Sequence, residues 1–159
     1  MRISVSSDMA EPVTRLLVEE LRDRGHEVLT HGALRAGDDL RWAVCSAAAA
    51  RDVADGRADQ AVVCCWTGTG ASIAANKVPG VRAALCTDAY TADGARRWND
   101  ANVLALSLRL TSGPLLKEIL DAWFAGEPGQ DAEDRENVAH IERMDGTDRT
   151  DGARPGSRP

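Results

Sequence analysis

The chain has 159 residues, 43% of them hydrophobic and 28% charged, with a formal net charge of −6. That length suits one domain whose core needs neither disulfides nor metal. The acidic balance shows no basic face of the kind nucleic-acid binding requires. No stretch approaches the roughly 20 apolar residues of a membrane span, and MRISVSSD lacks the apolar core of a signal peptide, so a cytoplasmic location is expected.

In chain order, RISVS (2–6) reads as a short strand. EPVTRLLVEELRDRG (11–25) follows with a 3.6-residue apolar period, Pro12 suiting its first turn and Gly25 its stop. HEVLTHG (26–32) is a second strand, and DDLRWAVCSAAAARDVADG (38–56) an alanine-rich helix. DQAVVCC (59–65) is apolar on both faces, as a central parallel strand is. GASIAANK (70–77) opens a helix, GVRAALC (80–86) is a fourth strand and YTADGARRWN (90–99) a helix. ANVLALSL (101–108) is a fifth strand, SGPLLKEILDAWFAG (112–126) a strongly amphipathic helix, and 127–145 could form one more. The alternation predicts an α/β fold, a Rossmann-like three-layer αβα sandwich around a five-stranded parallel sheet. One domain is expected over 1–145. Residues 146–159 hold no large apolar side chain and read as a disordered tail.

Ligands of such sheets bind at the carboxyl ends of the strands, which directs attention to Ser7-Asp8, Thr87-Asp88, Ser107 to Arg109 and above all CCWTGTGASIAANK (64–77). A nucleotide P-loop fails because Lys77 lies seven residues beyond Gly70. The dinucleotide fingerprint fails because no third glycine follows Gly68 and Gly70. What remains is a glycine turn feeding a helix N-terminus, whose outward N–H groups favour an anion, a ligand phosphate or a reaction oxyanion. Cys65 stands at the strand end just before that field, whereas Cys64 points to the opposite face and reads as a buried small hydrophobe. Position alone leaves Cys65 open between those two readings. The cysteines at 45, 64, 65 and 86 form no CxxC pair and His26, His31 and His140 show no ligand spacing, so neither a metal nor a disulfide is expected. Trp42 and Trp123 are expected in the core or at an interface, and Asp88 and Asp100 as helix caps.

The segments SSDMA (6–10), CWTGTGASIAANKVPGVRAALCTDAYTADGARRWNDANVLAL (65–106) and EILDAW (118–123) resemble the ribose-5-phosphate isomerase B / galactose-6-phosphate isomerase family, over residues 1–125. The resemblance implies a Rossmann-like fold, a homodimer or homotetramer with the site between subunits, and aldose–ketose isomerisation of a sugar or sugar phosphate through a cis-enediolate, without cofactor. It makes Cys65 the base and Thr67 the proton relay. Gly68, Thr69, Gly70 and Ser72 become the loop that holds the enediolate, and Asp8 and Asn99 substrate contacts. The chain departs from the family at Met9 and Trp98, where histidines are usual, and at Trp66, which replaces the first motif glycine, and all three are expected to contact the substrate. The family's C-terminal arginine pair is not reproduced, leaving Arg41 or Arg135 as relocated basic contacts. These departures fall on ring opening and phosphate grip. Beside the ribose-5-phosphate isomerase B-like activity that the resemblance implies, they open three alternatives: a tetrose phosphate that needs no ring opening, an unphosphorylated or differently charged sugar, or a silent homologue that binds sugar or stabilises a partner subunit.

Overall fold

The computed structural model describes residues 1–147, arranged as a parallel five-stranded sheet between two layers of helices. The strands are β1 (Arg2–Ser7), β2 (Glu27–Gly32), β3 (Gln60–Cys65), β4 (Ala83–Leu85) and β5 (Val103–Ser107). Their order is β2-β1-β3-β5-β4, so strand order reverses at the β1/β3 boundary. There Ser7 pairs with Cys64, and across β3 Cys65 pairs with Ser107.

The helices are α1 (Pro12–Asp23), α2 (Trp42–Ala54), α3 (Thr69–Ala75), α4 (Ala89–Asn99), α5 (Gly113–Ala125) and α6 (Ala132–Thr147). The period-2 alternation of the strands divides the core in two. Val62, Cys64, Leu104 and Leu106 meet Leu17 and Leu21 of α1 and Leu116, Ile119, Leu120 and Trp123 of α5. Ala61, Val63, Cys65 and Ala105 meet Ala49 and Ala50 of α2 and Ala71 and Ala75 of α3. The second layer is built from small side chains, which lets α2 and α3 lie close to the sheet end that carries Cys65.

Local signals set the helix ends. Asp88 accepts from Thr91 N at 2.7 Å while Thr91 Oγ1 accepts from Asp88 N at 3.3 Å, a reciprocal cap on α4. Ser112 Oγ accepts from Leu115 N at 3.3 Å at the start of α5. Trp123 is fully buried and donates its Nε1–H to Gln60 Oε1 at 2.8 Å, a core residue as expected. The last helix continues through Gly146 and Thr147, the first two residues of the expected tail; the rest of that segment lies outside the described residues. No helix among the described residues is long and apolar enough to cross a membrane.

One polar cluster is buried beneath α2. Asp52 takes His31 Nε2 at 2.6 Å and Ser4 Oγ at 2.8 Å on Oδ2, and Arg57 Nε at 2.8 Å on Oδ1. Burial opposes ionisation of Asp52, but these hydrogen bonds from His31, Arg57 and Ser4 outweigh it and hold the carboxyl below its ordinary range. A folded-state pKa below the unfolded one stabilises the fold fully above the unfolded value of about 4 and loses that contribution as pH falls through the folded value. Urea midpoints are therefore expected to stay level down to about pH 5 and to drop below about pH 4, less steeply in Asp52→Asn than in the wild type. An unchanged acid limb in the variant would show that Asp52 contributes nothing to it.

Candidate active site

At the carboxyl end of the sheet, beside the strand-order reversal, Asp8, Met9, Trp42, Cys65, Trp66, Thr67, Thr69 and Gly70 line one cleft of about 400 Å3. Ser7 Oγ donates to Met9 O at 2.7 Å and accepts from Met9 N at 3.3 Å, which folds the chain after β1 into the cleft wall. On the other side Ser107 Oγ and Arg109 N both donate to Trp66 O, at 3.0 and 3.1 Å, and Leu108 N donates to Cys65 O at 3.0 Å. The loop after β3 is thereby anchored to the loop after β5.

The turn itself requires glycine. Gly68 caps α3 at φ 75°, and a Cβ there would lie 2.5 Å from Leu85 Cδ1 and 2.9 Å from the Leu106 carbonyl carbon. Its N–H donates to Cys65 O at 3.2 Å, and Ser72 N–H donates to Gly68 O at 3.0 Å. Two of the amides expected to hold an oxyanion, those of Gly68 and Ser72, are thus spent on the turn. The N–H groups of Thr69 and Gly70 have no acceptor among the described residues and form the narrower cradle. Thr67 Oγ1 and Thr69 Oγ1 lie 2.7 Å apart, a hydroxyl pair at the cleft.

The four cysteines differ in setting. Cys64 faces the α1/α5 layer, as the strand alternation predicts, and burial pushes its thiol far up. Burial, with the Asp8 carboxylate adding to it, pushes the Cys45 thiol up to about 11, and burial pushes Cys86 to about 11. Cys65 is 5% exposed and faces the cleft. Asp8 is raised above the ordinary carboxylate range by burial, against a backbone hydrogen bond that lowers it. Its buried Oδ1 has no hydrogen-bond partner among the described residues, which is costly unless a ligand hydroxyl meets it.

The other expected contacts lie elsewhere on the chain. Trp98 and Arg135 line a separate cavity of about 220 Å3 between α4, the turn at 128–130 and α6. Asn99 lines a third cavity with Asn76, Arg82 and Ile141. Arg41 is exposed and paired with Asp39. Of the two expected caps, Asp88 serves at the start of α4 and Asp100 at its end, where it pairs with Arg82 at 2.9 Å. Trp42, expected in the core or at an interface, lies outside the core, 46% exposed and lining the cleft. Its place depends on where α2 begins, which sequence periodicity did not resolve. Among the described residues, no three His, Cys, Asp or Glu side chains converge as metal ligands would.

A thiol, a hydroxyl pair, unpaired main-chain amides and an unpartnered carboxylate oxygen thus meet around one cleft at the carboxyl end of an α/β sheet. The profile described as Ribose/Galactose Isomerase matches residues 3–144, and the chain belongs to that family. It is 35% identical over 147 residues to the galactose-6-phosphate isomerase subunit LacB of Clostridium acetobutylicum, covering 91% of this chain and 83% of that one. It is 31% identical over 148 residues to D-erythrulose-4-phosphate isomerase of Pectobacterium atrosepticum, covering 91% and 97%. It superimposes on ribose-5-phosphate isomerase B of Clostridium thermocellum with a TM-score of 0.84 at 35% identity, covering 92% of this chain and 99% of that one.

Proposed function

We propose that this sugar-phosphate isomerase interconverts a short aldose phosphate and its ketose, with Cys65 as the base. The observation that carries the reading is the meeting of Cys65, the Thr67–Thr69 hydroxyl pair and the unpartnered Asp8 Oδ1 in one cleft. Asp8 accepts a substrate hydroxyl and fixes the carbon chain. The Cys65 thiolate takes the proton from C1 of the ketose, and the electron pair moves into a C1–C2 enediolate. The amides of Thr69 and Gly70 bind the developing oxyanion. The threonine pair passes a hydroxyl proton between O1 and O2. The Cys65 thiol, whose proton exchanges with solvent, then delivers a proton at C2, giving the aldose with no net change in protons.

The substrate preference follows from two side chains that cannot exchange protons. Met9 lines the cleft, and Trp98, whose indole N–H only donates, stands at the second position where the resembled family has histidine. A four-carbon sugar phosphate needs no ring opening, because its phosphorylated terminal oxygen cannot close a furanose. The likeness to a relative named D-erythrulose-4-phosphate isomerase supports the same preference. Arg109 follows β5 and donates its backbone N–H to Trp66 O of the cleft wall, which supports it as the basic contact for the phosphate. A second copy of the chain closes the cleft with the α4–α6 side that carries Trp98, Asn99 and Arg135. The half-exposed Trp66 and the exposed Ile73 of α3 support such a contact.

A screen of four- to six-carbon aldoses and ketoses, with and without phosphate, tests this. The highest kcat/KM is expected for a four-carbon phosphate, with ribose 5-phosphate slower. Ribose 5-phosphate turned over fastest would contradict the preference. Binding without turnover of any sugar would favour a silent sugar-binding homologue.

A further inference from the structure

Trp42 stands in the cleft without a part in the proton chemistry. It is the first residue of α2, and 46% of its surface is exposed although it is large and apolar. Its benzo ring rests on the first turn of α3: a Cβ at Gly70 would lie 3.0 Å from Cε3, 3.2 Å from Cδ2 and 3.3 Å from Cζ3. Glycine at 70 is what allows the indole to lie over the turn whose amides are free. Asp8, Met9, Cys65, Trp66, Thr67 and Thr69 complete the cleft lining.

Carboxylates of the β2–α2 loop fold the chain just before Trp42. Asp38 Oδ2 accepts from Gly32 N at 3.2 Å, and Asp39 Oδ1 accepts from Arg41 N at 2.9 Å, immediately before Trp42. These two side chains use up the residues that would otherwise extend α2 backwards, so the helix begins at Trp42. The indole thus sits at the sheet's carboxyl end rather than over the alanine layer.

We propose that Trp42 is a specificity-determining residue, an apolar wall that limits the length of the sugar carbon chain the cleft accepts. The inference rests on the isomerase reading of the cleft. A four-carbon chain anchored at Asp8 and reacting at Cys65 presents C–H groups to the indole. Each further carbon brings a hydroxyl against a surface that offers it no partner, and burying an unpaired hydroxyl is unfavourable. Discrimination by one carbon unit in such a pocket amounts to about 10- to 200-fold.

The test uses the full chain and three variants: Trp42→Ala, Trp42→Leu and Trp42→Phe. Two quantities are measured for four- and five-carbon sugar lengths: kcat/KM with the aldose phosphates, and Kd by calorimetry with the terminally phosphorylated aldonohydroxamates of one carbon fewer, whose nitrogen stands where C1 of the enediolate would. The five- to four-carbon ratio is expected to rise about tenfold or more in Trp42→Ala and to a smaller extent in Trp42→Leu. In Trp42→Phe, which keeps an aromatic face, it should stay within about threefold of native. A ratio unmoved in both shortened variants, or an equal loss for both lengths as expected of a residue that only supports the fold or a subunit contact, overturns the wall. Wild-type protein that binds the hydroxamates with a length preference but turns over no sugar overturns the isomerase reading and leaves the wall standing.

Discussion

Replacing Cys65 by serine is expected to lower kcat by about 10²- to 10⁴-fold, the range a positioned base contributes. The cause is chemical rather than structural. Serine has nearly the shape of cysteine, and Cys65 sits at the strand end where the core meets the cleft, 5% exposed. The alkoxide that would have to take its place is far less available than a thiolate near neutral pH. The urea midpoint should move little, and Cys65→Ala should match the serine variant in activity. Cys64→Ala separates the two neighbours. Cys64 packs with Leu106 and Leu116 on the opposite face, so its truncation should cost about 1 kcal/mol of stability and leave turnover nearly intact. If Cys65→Ser retained native kcat, the base would have to be another group in the cleft.

Gly68→Ala should destabilise the fold by about 2–5 kcal/mol, a large share of the roughly 5–15 kcal/mol that holds a domain together. Two penalties combine. At φ 75° a side chain is strained by about 1–2 kcal/mol. The new methyl would also stand 2.9 Å from the Leu106 carbonyl carbon and 3.0 Å from its oxygen, backbone that β5 holds in the sheet. Gly56→Ala is the control. Gly56 has φ 71° with nothing within 4 Å of an added Cβ, so it carries the strain without the collision. Urea midpoints of the two variants should differ by the steric part, with m unchanged. Equal losses would mean that the β3–α3 turn yields freely, and the rigid cradle would lose its basis.

The strands and the sheet end that carries the cleft were legible because they depend on local pattern. Val62 to Cys65 reads as a buried parallel strand from its composition, and Gly68 marks the turn. The edge strand was overread: GVRAALC predicts seven residues, and β4 holds three, Ala83–Leu85. The reason is long-range. Arg82 N donates to Asn102 Oδ1 and Ala83 N to Asn76 Oδ1, side-chain acceptors that replace a ladder neighbour at the sheet edge. Trp42 was missed as a cleft residue for a similar reason, since the start of α2 is set by carboxylates of the preceding loop rather than by helical period. Trp98, Asn99 and Arg135 line other cavities of the chain, and a sequence motif carries no information about which cavity its residues reach.

In the proposed reaction a proton leaves carbon for sulfur, exchanges with solvent there, and a proton is delivered to the neighbouring carbon. The most direct measurement is nuclear magnetic resonance of the product formed by the wild-type enzyme in deuterated water from its best four-carbon substrate. Deuterium at C2 of the aldose formed, or at C1 of the ketose formed, is the expected result, absent from the Cys65→Ser reaction. Product that reaches equilibrium with neither carbon labelled would contradict it, because hydrogen would then be passing between the carbons without ever resting on an exchangeable group.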